Sequence, residues 1–142
     1  MSKIMNNNKT SKKIFVFFAV ILSGALLPFI ARIPGIFAKG KEYFYQYTFN
    51  VEIIFGIIFY NIIPFFIFAI LNHFNYKRKK AAVIGAGTAL FFADFFFHAS
   101  LDLASSSTAA IALIFIPFYL CIAMAIGYAL GYFVAFFRKE KM

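Results

Sequence analysis

Asp94, His98 and Asp102 stand four residues apart in a segment that otherwise reads Leu90-Phe91-Phe92-Ala93 and Phe95-Phe96-Phe97. An ionisable side chain in a stretch apolar enough to cross a bilayer costs at least about 2.5 kcal/mol, so its presence points to a function or to a polar partner. At about 100° per residue the three side chains share one helical face, while Phe92 and Phe96 fall on the other. Carboxylate and imidazole are metal-ligand types, but Asp94 and Asp102 lie about 12 Å apart along a helix axis. Ligand bonds of roughly 2 Å cannot gather both onto one ion with His98. No metal and no other cofactor is expected.

The same residues do not make a hydrolase. Asp102, His98 and Ser105 to Ser107 supply the right residue types, yet no Gly-x-Ser-x-Gly nucleophile motif accompanies them, and Ser105-Ser106-Ser107-Thr108 reads as a helix cap. There is no glycine-rich phosphate loop and no paired-histidine metal motif. The lone Cys121 permits no intrachain disulfide and reads as a small packing residue. The expectation is a protein that is not an enzyme.

The elements that position these residues follow from composition. With 63% hydrophobic residues and 23 Phe in 142, the chain has too few polar residues to cover a globular surface. Its apolar residues form blocks at 14–31, 51–71, 81–101 and 109–137. About 20 helical residues span a hydrocarbon core of roughly 30 Å. The expected fold is an all-α integral membrane protein, a four-helix transmembrane bundle over 14–137. Basic tails at 1–13 and 138–142 flank it, the first disordered or lying on the membrane surface.

All but Arg32, Lys39 and Lys41 of the 14 Lys and Arg fall in the two tails or between the second and third blocks. The positive-inside rule therefore places both termini in the cytoplasm, and the asymmetry fits a bacterial inner membrane. The net charge of +9 is spread over three short segments, which argues against nucleic acid. Lys12-Lys13, the apolar run that follows and Ser23-Gly24-Ala25 imitate a signal peptide. The run continues to Ile30, so an uncleaved anchor is the expectation.

Threaded this way, every near-membrane ionisable group except those at the basic end converges on the outer half: Arg32, Glu52, Asp94, His98 and Asp102. Asn61 is set apart, being about 180° around its helix from Glu52. The outer link, with its Pro34-Gly35 turn signal and Tyr43, Phe44, Tyr45 and Tyr47, is expected at the headgroup level. Ala123, Gly127, Gly131 and Ala135 line one face of the last helix as a packing groove, for this chain or for a second copy in a homo-oligomer. Gly85, Ala89 and Ala93 form a weaker stripe. Pro28, Pro64 and Pro117 each free the carbonyl four residues earlier, on Gly24, Tyr60 and Leu113.

With almost no mass outside the bilayer, the chain is expected to act by lateral contact with another membrane protein or a membrane-inserting peptide, as an accessory subunit or a protector. In size and topology alone it resembles the small multi-span immunity proteins of pore-forming bacteriocins; no sequence motif carries that likeness. The alternative is a subunit of a proton- or cation-coupled transporter or channel. Against it, the polar stripe stops halfway, with only Thr88, Gly87 and Gly85 toward the cytoplasmic end.

Overall fold

The computed structural model describes residues 2–76, 79–104 and 109–139, with side chains from 11 to 138 apart from 77–78 and 105–110. The described residues hold five helices: α1 (Ser2–Lys39), α2 (Lys41–Thr48), α3 (Val51–Asn75), α4 (Lys80–Ser100) and α5 (Ala109–Lys139). Four of them, α1, α3, α4 and α5, are long and apolar enough to cross a membrane, as a multi-pass membrane protein requires. Large apolar side chains such as Phe15, Phe55, Phe92 and Phe133 stand exposed on the outside of the bundle, the pattern of a surface solvated by lipid tails.

Two sequence expectations change at the helix ends. The tail before residue 14 continues α1 rather than standing apart from it. Pro34-Gly35 is no turn: α1 runs through it to Lys39 and ends at Gly40, whose φ of 84° is open to glycine at no steric cost. Proline already holds a helical φ, so it costs this helix only a hydrogen bond and local crowding. Gly35 instead leaves room for the Tyr43 ring, which a Cβ there would strike. Ser105 to Thr108, read as a cap, lie outside the described residues.

The core is built where helices carry apolar residues at three- and four-residue spacing. Ala82, Val83, Ala86, Gly87 and Leu90 of α4 form a buried stripe that continues into Asp94 and His98. Phe65 and Phe68 of α3 and Ile116, Leu120 and Met124 of α5 complete the apolar cluster around it. Phe65 meets Phe91 edge to face at 5.1 Å.

The most extensive helix pair is α4 with α5, and it uses both small-residue stripes. A Cβ on Gly127 would sit 2.5 Å from the Ala89 Cβ and still closer to the Gly85 carbonyl oxygen, and one on Gly131 would strike the Ala81 backbone. The groove expected on α5 is thus filled by α4 of the same chain. Without a hydrophobic driving force between helices in lipid, this close backbone approach and its dispersion contacts hold the pair.

Candidate functional site

Deep inside the bundle, in the half away from the chain termini, α1, α2, α3 and α4 each send polar side chains to one place. Arg32, Asn61, Asp94 and His98 are the buried polar and charged residues among those described, none exposing more than 2% of its surface. Beside them lie Tyr43 and Tyr47 of α2, equally buried.

Helix α2 is the part the sequence places differently. Its tyrosines were expected to mark the headgroup level; Tyr43 and Tyr47 instead turn inward, while Tyr45 stays exposed. The physical reason is Arg32. Its guanidinium lies 3.6 Å from the centre of the Tyr43 ring and 4.0 Å from that of Tyr47, so the two rings shield a charge from lipid.

All of the hydrogen-bond partners found for Arg32 are neutral. Nε donates to the Tyr43 carbonyl at 3.0 Å, and Nη2 donates to that carbonyl and to Gln46 Oε1 at 2.7 Å. Nη1 donates to the Leu101 and His98 carbonyls. Those oxygens belong to the end of α4, where carbonyls lack partners within the helix and the dipole is negative. The Tyr43 hydroxyl caps the same end by donating to the Ala99 carbonyl. Arginine suits this position because its rigid fork presents five donors at once.

Asp102 follows the end of α4 and does not meet Arg32 directly. Gln46 joins them, donating Nε2 to Asp102 Oδ1 at 2.9 Å while its Oε1 accepts from Arg32 and from the Leu103 N–H. Lys39 lies 3.5 Å from the other Asp102 oxygen, an exposed pair of small energetic weight. Hydrogen bonding from Gln46, and then from the Ala104 N–H and Lys39, holds the Asp102 carboxyl below its ordinary pKa of 3.8.

Beneath this lid sits the second half of the cluster. The Tyr47 hydroxyl is 2.9 Å from His98 Nδ1, and His98 Nε2 is 3.3 Å from both Asn61 Oδ1 and Asp94 Oδ1. Asn61 Nδ2 donates to Asp94 Oδ2 at 3.2 Å and to the Gly24 carbonyl at 2.8 Å. With the ring hydrogen on Nε2, Tyr47 donates to Nδ1 and the chain runs from phenol to imidazole to amide. Asp94 Oδ1 is buried with no hydrogen bond among the described residues. Burial pushes the Tyr47 phenol above its ordinary 10.0, against the opposing pull of Arg32.

Arg32, Asp94, His98 and Asp102 therefore share one network, and Glu52 stands outside it. Glu52 is exposed at the start of α3, its backbone N–H bound at 2.8 Å by the Asn50 side chain that caps the helix. The half-turn separation between Glu52 and Asn61 holds; Glu52 was the wrong residue to point inward. Because Glu52 faces out, the same 180° turns Asn61 in, where it is the hub. The signal that marks Asn61 in the sequence is Pro28, whose missing N–H leaves the Gly24 carbonyl for another donor.

The cluster has an apolar approach. A cleft of about 150 Å³ opens between α3 and α5, walled by Ile53, Gly56, Tyr60, Ile114 and Pro117, and it reaches His98 and Asn61. Gly56 has no atom within 4 Å of where a Cβ would be, so this wall is open. No cluster of three or more metal-ligating His, Cys, Asp or Glu exists among the described residues. Comparison with protein-family models, with curated proteins and with solved structures returns no match.

Proposed function

We propose that this chain is a non-catalytic membrane protein that acts by lateral contact with another membrane protein or a membrane-inserting peptide. The observation that carries the reading is the use of the buried cluster. Each Arg32 nitrogen ends on an acceptor of the same chain, and Asn61 ties α1, α3 and α4 together. Polar groups spent in this way lock helices. What remains for action is the side of the bundle, where the α3/α5 cleft is the opening that leads to the cluster. In this proposal the chain lies in a bacterial inner membrane with both termini in the cytoplasm. It serves there as an accessory subunit or an immunity-type protector.

Photocrosslinking in native membranes tests it. A benzoylphenylalanine at position 56 or 114 is expected to give a defined protein adduct that the same probe at Phe92, on the lipid face of α4, does not. Lipid adducts alone from all three positions would sink the reading.

Proton or cation handling is the second reading, favoured by the buried Asp94 Oδ1, which has no hydrogen bond among the described residues and lies 3.3 Å from His98. It requires pH-driven flux in proteoliposomes that Asp94→Asn and His98→Ala abolish. Wild-type vesicles without flux would eliminate it.

A further inference from the structure

The basic end of the bundle carries a cavity unlike the cleft above the polar cluster. Between α1 and α3 a groove of about 390 Å³ is lined by Lys12, Lys13, Asn72, His73 and Tyr76, with Val16, Phe17 and Ala69 also in its wall. The two helices run in opposite directions, so residue number and depth are related oppositely in each. On α1, Val16 and Phe17 lie one turn deeper into the span than Lys12 and Lys13. On α3, Ala69 lies one turn deeper than Asn72 and His73. Both helices thus put cationic and hydrogen-bonding groups at the rim and apolar groups directly below. Phe17 is fixed in the wall by edge-to-face packing on His73 at 6.5 Å and Phe66 at 6.0 Å.

We infer that this groove binds the phosphate headgroup of an anionic phospholipid, with the acyl chains descending along Val16 and Phe17. The two-tier lining is the reason to choose a lipid over free phosphate. A soluble anion would use the rim and gain nothing from the apolar floor, whereas a phospholipid needs both at this depth. Lys12 and Lys13 supply the charge, and Asn72 and Tyr76 supply neutral hydrogen-bonding groups. A second basic groove at the same end, with Lys79, Lys80 and Tyr132, lies between α4 and α5, so loss of the first site removes one bound lipid and not every one.

The test is native mass spectrometry of the full chain in detergent, titrated separately with phosphatidylglycerol and phosphatidylcholine. The expected result is retention of phosphatidylglycerol over phosphatidylcholine, with affinity at one site falling about fivefold for each lysine removed in Lys12→Gln and Lys13→Gln. Lys12 and Lys13 are exposed, so these variants keep the fold, which circular dichroism checks. Lys41→Gln, at the other end of the bundle, is expected to leave retention unchanged. Equal retention of the two lipids, or full retention by Lys12→Gln/Lys13→Gln, overturns the inference. Displacement of phosphatidylglycerol by millimolar inorganic phosphate overturns it as well, since the site would then be one for the free anion.

Discussion

Asn61 Nδ2 donates to the carbonyl of Gly24 at 2.8 Å, and Gly24 is the residue whose helical partner Pro28 cannot provide. One side chain on α3 thus repairs a break in α1 while its other contacts hold Asp94 and His98 of α4. The proline break and the buried asparagine are one device.

Replacing Asn61 by leucine leaves the Gly24 carbonyl, Asp94 and His98 each short of a partner in a buried site. We expect a loss of about 2–3 kcal/mol, several times the mean for an interhelical hydrogen bond, because buried acceptors are abandoned as well as a bond removed. Pro28→Ala restores an N–H for the Gly24 carbonyl, so Asn61→Leu is expected to cost about 1 kcal/mol less in that background. A double-mutant cycle of unfolding in detergent checks the coupling. Strict additivity would show that the two residues act separately.

Arg32→Lys keeps the charge and loses the fork. Lysine has three donors from one point and cannot reach the Tyr43, Gln46 and Leu101 acceptors together. Its stability is expected to fall by roughly 2 kcal/mol or more, close to that of Arg32→Gln, and a lysine variant with wild-type unfolding would refute the role given to the fork.

At the α4/α5 contact, Gly127→Leu forces the helices apart at Gly85 and Ala89. A cost of about 3 kcal/mol is expected, with Gly127→Ala intermediate. Sedimentation of wild type and Gly127→Ala at matched detergent is expected to give the same mass, since the small-residue face is filled within the chain.

The short helix α2 carries its own pH dependence. Asp102 has a lowered folded pKa, so its contribution is complete above the ordinary value of 3.8 and disappears as pH falls through the depressed one. Hydrogen-exchange protection of residues 41–48 is expected to drop in that acid window and to become pH-independent there in Asp102→Asn. Tyr47 works in the opposite direction: its raised pKa makes its contribution complete below 10.0 and lost as pH rises beyond it. Absorbance titration is expected to show a late-ionising tyrosine, and Tyr47→Phe to remove it.

Four long apolar helices, their spacing and the small-residue seam could all be read directly from residue order, because lipid imposes length and hydrophobicity on each span separately. The polar face of α4 was equally visible, since Asp94 and His98 share a face by helical periodicity alone. The position of Glu52 and Asn61 was not. Periodicity fixes the angle between two residues of one helix and leaves open which of them meets the neighbours. Likewise the tyrosines of 41–48 suit either a membrane surface or an interior, and Arg32 decides between them from another helix. The sequence by itself determined the spans and the relative angles within each, which are local properties of a backbone that must satisfy its own hydrogen bonds in lipid. Only the tertiary structure decided the rotation of α3, the inward turn of α2 and the neutral partners of Arg32, because these depend on which donors from distant segments meet carbonyls that no local partner can reach.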